Sequence, residues 1–98
     1  MVEQGDIIKI SDVKYPLLVV SKSSYNLSNH ILACPILPSD NGSVLSFPIN
    51  TESVAGFVRC DSLHMFDLNV RRFSSNGRVP LSCLIQIVDI IQSLFDYV

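Results

Sequence analysis

The sequence has no excess of positive charge. Seven Lys and Arg stand against nine Asp and Glu, for a formal net charge of −2 and a pI of about 5.4. That excludes the basic footprint of a dedicated duplex-DNA-binding domain and leaves room only for a local basic groove. Metal-ligand spacing is also missing. Cys34, Cys60 and Cys83 are odd in number and widely spaced, no Cys-x-x-Cys occurs, and His30 and His64 stand at no ligand spacing from them. The cysteines read as buried, reduced thiols that act as small hydrophobes. No apolar run approaches the ~20 residues that span a bilayer. The first residues, Met1 to Asp6, lack the basic flank and apolar core of a signal peptide, so the expected location is the cytoplasm. Repeats, linkers and low-complexity segments are absent, and one domain over 1–98 is expected. With 48% apolar residues, a chain of 98 residues can build a core without staples, because roughly two thirds of its unfolded surface can be buried at that length.

What is present is a series of short apolar runs. Tyr15-Pro16-Leu17-Leu18-Val19-Val20-Ser21 is continuous and reads as a strand buried on both faces. Before it, Ile7–Ile10 reads as a first strand, joined by the short polar Ser11-Asp12-Val13-Lys14. After it, residues 22–29 read as a polar loop and His30–Leu37 as a third strand. Pro35 within that strand removes a ladder donor, which places the point at an edge or bulge. Residues 38–43 read as a turn around Asn41-Gly42, with Val44–Ile49 returning as the hairpin partner. Gly56–Cys60 and Leu63–Asp67 read as further strands, Val70–Phe73 as a short strand or loop, and Ser74–Gly77 as a turn.

The period then changes. Pro80 suits a first helical position. Beyond it, Ser82, Gln86, Asp89, Ser93 and Asp96 form one narrow polar stripe. Leu84, Ile85, Ile87, Val88, Ile90, Ile91, Leu94 and Phe95 fill the rest of the wheel. An ordinary surface helix has an apolar arc of a little over ~100°, so this helix needs a second burial partner besides its own sheet. A second subunit is the expected one. The order, about six strands and then a helix, predicts a mainly β fold: a small, curved antiparallel sheet or barrel closed by a C-terminal helix.

The residues also carry a resemblance. Gly5-Asp6-Ile7-Ile8, Tyr15–Ser21, Tyr25-Asn26, Cys34-Pro35-Ile36, Gly56–Leu63, Asp67, Arg71 and Gly77-Arg78-Val79 before a helix form an ordered set along nearly the whole chain. That set resembles the MazF/PemK toxin family. The resemblance implies an SH3-like, CcdB/MazF-type barrel, a homodimer through the C-terminal helix, a cognate antitoxin partner and no membrane association. It also implies an endoribonuclease (mRNA interferase) of a type II toxin–antitoxin system, acting on single-stranded RNA without metal or cofactor. The sequence departs from the family at telling places. Tyr15 stands where the family has Arg before the Pro, and Leu37 where it has Thr or Ser. The connection at residues 11–14 replaces a longer loop, and His64 stands where an Arg often follows.

Metal-free RNA cleavage takes a proton from the 2′-OH, gives one to the leaving 5′-oxygen and stabilises charge on the phosphate. Tyr15, Lys14 and His64 are the catalytic candidates. A phenol donates hydrogen bonds but is a poor base at neutral pH. Lys14 reaches the old Arg place only if the backbone bulges, since one step along a strand reverses the face. Imidazole is the side-chain type suited to proton exchange near neutrality, against which stands the plainer reading of His64 as a strand residue hydrogen-bonded or solvated on the barrel face. The RNA-binding candidates are Lys22, Tyr25, Arg71 and Arg72, as phosphate contacts and a base platform or as ordinary surface residues. The alternative to an active nuclease is an inactive toxin-fold binding protein that acts on an antitoxin or, like CcdB, on gyrase. An unrelated SH3-like module fits the composition but not the motif series.

Overall fold

The computed structural model describes residues 2–40 and 42–95. The expected mainly β architecture is present, with seven strands, all paired antiparallel, and a C-terminal helix. The strands are β1 (Asp6–Ile10), β2 (Leu17–Val19), β3 (His30–Leu37), β4 (Ser46–Asn50), β5 (Ala55–Arg59), β6 (His64–Asp67) and β7 (Phe73–Arg78). The helices are α1 (Ser23–Asn26) and α2 (Leu81–Ser93). The sheet runs β4-β5-β3-β2-β1-β7, and β6 also pairs with β3.

The eight-residue β3 organises the sheet. One edge pairs with β2. The other pairs with β6 at His30–Ala33 and with β5 at Ile36–Leu37. The Ile36 amide donates to the Pro16 carbonyl, so even-numbered β3 residues bond toward β2 and odd-numbered ones toward β5 and β6. The missing donor of Pro35 therefore falls on the second edge, at the gap between β6 and β5, where no ladder bond is lost.

The sheet is buried on both faces. Leu18, Cys34, Ile36 and Val58 face Leu84, Ile87 and Ile91 of α2. Leu17, Val19, Ile31 and Ala33 pack on the opposite, concave side with Ile8 and Leu68. This two-sided burial explains why β2 reads as a continuous apolar run.

Several local expectations are corrected. β4 does not pair with β3; β5 lies between them. β5 fits there because Gly56 has no side chain, and a Cβ at that place would lie 2.6 Å from the Leu37 carbonyl oxygen. Ser74–Gly77 is not a turn but part of β7. The register between β1 and β7 slips between Asp6 and Ile8, and Gly77 has φ +95°. Asn-Gly is used for a bulge, not a reversal. Residues 22–29 include the short helix α1, and Pro80 precedes α2 instead of opening it. Gly42 takes the expected left-handed conformation, φ +75°; Asn41 and Asp96 lie outside the described residues.

Asn26 ties α1 down. Its side chain is buried, accepts from Ser21 Oγ and donates to the Val2 and Ser21 carbonyls. Asn26→Leu is expected to lower stability by about 2–3 kcal/mol, because it leaves buried polar groups unpaired; urea melts of the two proteins measure this.

The excess apolar surface of α2 is real. Leu84, Ile87 and Ile91 are buried, whereas Leu81, Ile85, Leu94 and Phe95 are exposed. Ser82, Gln86, Asp89 and Ser93 are exposed as expected. Among the described residues no helix is long and apolar enough to cross a membrane.

Candidate active site on the concave face

The ladders set the site. Residues directly opposite in a sheet share a face. Leu17 lies opposite Pro35, so continuing that register sets Tyr15 opposite Leu37. Leu37 in turn lies opposite Phe57. One more step along the β3–β5 register sets Arg59 beside Pro35 on the same face, and His64 lies opposite Ala33. Tyr15, Leu37, Arg59 and His64 thus all belong to the concave side of the sheet.

Arg59 is the residue that the sequence reading missed. Its Nε donates to Asp61 Oδ1 at 2.8 Å and its Nη2 to Asp61 Oδ2 at 3.0 Å. This fork holds the guanidinium in one plane and leaves further N–H groups to meet an anion. The hydrogen bond and charge of Arg59 hold the Asp61 carboxyl below the usual carboxylate range. The pair is therefore ionised at neutral pH, with a donor and an acceptor side by side. An Arg and an Asp two residues apart at the end of a strand was the available signal.

The β1–β2 connection forms the rim. Lys9 Nζ donates to the Ile10 carbonyl at 2.9 Å and to the Val13 carbonyl. Arg71 Nη1 bonds both oxygens of Asp12, at 3.1 and 3.2 Å, and its guanidinium lies 5.6 Å from the Phe66 ring centroid. Phe66 meets His64 edge to face at 6.4 Å, and His64 Nε2 lies 3.1 Å from Ser62 Oγ. Lys14 Nζ sits 5.2 Å over the Tyr15 ring. Lys14, Tyr15, Arg71 and His64 therefore border one surface, with Arg59 between the Tyr15 row and His64.

The other candidates lie elsewhere. Lys22 and Tyr25 sit at the opposite end of β2, in and before α1. Lys22 is seven residues from Tyr15, about 23 Å of extended chain. Arg72 is exposed beside Lys9, Ser11 and Ser74, on the reverse face of β7. Tyr15 and His64 do not bond one another: they are two strands and four residues apart, about 10 Å by 13 Å on the sheet. Cys34 and Cys60 are fully buried, and burial pushes their thiols up to about 12 and about 11, too high for a nucleophile. No group of His, Cys, Asp and Glu among the described residues could hold a metal ion.

No family model and no curated protein sequence matches the chain. Solved structures do. A MazE–MazF complex from Deinococcus radiodurans is 23% identical, with 95% of this chain and 94% of that one covered and a TM-score of 0.86. MazF from the same organism is 21% identical, with 95% and 94% covered and a TM-score of 0.82. A mycobacterial endoribonuclease in complex with its cognate antitoxin is 13% identical, with 95% and 93% covered and a TM-score of 0.81. At these identities the likeness speaks for architecture: the chain has the fold of the MazF toxins.

Proposed function

We propose that the chain is the toxin of a toxin–antitoxin pair, a cytoplasmic endoribonuclease that cuts single-stranded RNA without a metal. The observation that carries this is the forked Arg59–Asp61 pair on the concave face, in the strand rows between Tyr15 and His64. Asp61 is the acceptor for the 2′-OH proton. The freed 2′-oxygen attacks phosphorus, and the bond to the 5′-oxygen breaks. Arg59 meets the charge that builds on the phosphate, and His64 returns a proton to the leaving oxygen. Tyr15 offers an aromatic face to an unpaired base. Lys14 and Arg71 supply positive charge along the strand.

The partners follow from the same fold. The antitoxin complexes among the solved structures support a small protein partner for this chain. The exposed Leu81, Ile85, Leu94 and Phe95 on and just beyond α2 support a homodimer. Incubation with mixed-sequence RNA in the presence of a chelator, followed by end mapping, tests the nuclease. Fragments with 5′-hydroxyl ends are expected. RNA or antitoxin binding without any cleavage would instead identify a toxin-fold binding protein.

Leu37 weakens this nuclease. It faces Tyr15 with neither a proton nor a lone pair to offer. The double change Tyr15→Arg, Leu37→Thr adds a cation and a hydroxyl at adjoining places. It is expected to raise the cleavage rate by on the order of tenfold or more, read from initial rates on one fluorescent RNA.

A further inference from the structure

β7 has one free edge. The Ser11 amide donates to the Arg72 carbonyl, and Ile8, Lys9 and Ile10 lie opposite Ser75, Ser74 and Phe73. Hydrogen-bonded and non-bonded pairs alternate along an antiparallel ladder. Ser74 therefore turns its N–H and C=O toward β1, while Phe73 and Ser75 turn theirs outward. Among the described residues no strand lies on that side.

The other outer edges are defended. On β4 the same alternation, set by the Cys60 amide on the Leu45 carbonyl, turns the position of Pro48 outward, where no donor exists. β6 is only four residues long and ends in the charged Asp67. Phe73–Ser75 has no Pro, no Lys and no inward charge. Beside it is a cavity of about 410 Å³ lined by the apolar Val2, Ile8, Leu68 and Phe73 and by the polar Asp6, Asn29 and Ser75. Val2, Ile8 and Leu68 are buried hydrophobic residues of the concave core.

We infer that the free edge of β7 is a strand-addition site for an extended peptide segment of a partner protein, with an apolar side chain of that segment seated in the cavity. Two residues with outward N–H and C=O, about 7 Å apart, match the repeat of an extended backbone. Alternate side chains of the added strand then point to one face, and that face is the cavity. RNA is a poor occupant here. It carries hydroxyl and base donors of its own, but no backbone that sets a donor and an acceptor side by side to match each outward N–H and C=O. The inference stands apart from the nuclease, none of whose residues is part of β7.

Amide exchange on the intact protein tests it, with the capped heptapeptide Thr-Leu-Thr-Val-Thr-Leu-Thr as probe and its analogue N-methylated at alternate residues. The peptide is expected to slow exchange at Phe73 and Ser75 by roughly tenfold or more, leaving Ser74 as protected as before. The N-methylated analogue, which keeps the side chains but loses the ladder, should give no such slowing. Ser75→Pro removes an outward N–H that the fold does not use, and should abolish the effect while Ser74 remains protected. Unchanged exchange at Phe73 and Ser75 at millimolar peptide overturns the inference. So does equal protection by the N-methylated analogue, or protection by an oligouridylate in place of the peptide.

Discussion

Arg59→Ala is expected to lower RNA cleavage by on the order of 10²–10³, the usual loss when one donor to a transition-state anion is removed. Arg59→Lys should recover little, because an ammonium cannot make the forked contact to Asp61 and present further N–H groups in the same plane. Asp61→Asn removes the acceptor but keeps the shape, and a comparable loss is expected. Initial rates on a short fluorescent RNA measure all three variants, and a fold check by circular dichroism accompanies them. An Arg59→Ala protein that cuts at the normal rate removes the pair from the chemistry.

The pair also makes a pH prediction. Asp61 is held low by Arg59, so its contribution to stability is fully present above the ordinary carboxylate range. It is lost only as pH falls through the lower folded value. The acid limb of the rate profile should follow the same group, and so lie below the range of a free carboxylate. In Arg59→Ala that limb should move up toward the free value.

The largest loss of stability is expected from Ile91→Asp. Ile91 is buried among the residues that join α2 to the sheet, and an unpaired carboxylate there has no partner. The loss should reach roughly 4 kcal/mol or more, combining lost packing with a buried charge, enough to unfold a domain of ordinary marginal stability. Ile85→Asp is a different experiment on the same helix. Ile85 is 52% exposed, so the fold should survive and only a self-association through α2 should fail. Thermal melts separate the two variants, and sedimentation at micromolar concentration reads the oligomer. A monomeric unmodified protein ends the dimer proposal.

These two residues show what periodicity could and could not tell. The helix and its surplus of apolar positions were legible, because a period of 3.6 is a property of the chain itself. Which positions meet the sheet and which are left over was not, since that depends on the rotation of α2 about its axis. The strands were legible as apolar runs, yet their partners were not. A hairpin between β3 and β4 is the local expectation, and the absent side chain of Gly56 allows β5 to come between them. Ser74–Gly77 has turn composition, but an edge strand wetted on one side tolerates the same residues.

The site was legible in part. Strand register carries His64 opposite Ala33, whereas Lys14, Tyr15 and Arg71 lie in connecting segments. Lys22 and Tyr25 were grouped with them by type, and the length of β2 separates them. Arg59 was not legible as a site residue, because Arg59 and Asp61 announce themselves only through two-residue spacing at a strand end.

The clamp of Lys9 on the β1–β2 connection has a kinetic consequence. Residues 11–14 are fastened by Lys9 to the carbonyls on either side of the turn and by Arg71 through Asp12. Such a short, pinned segment cannot swing over Tyr15 as a lid. Turnover of the proposed nuclease would therefore have no loop-opening step to wait for, and solvent viscosity should affect it only through product departure. An open surface of this kind would let the proposed nuclease accept the interior of a long strand from the side, with no need to thread a free end.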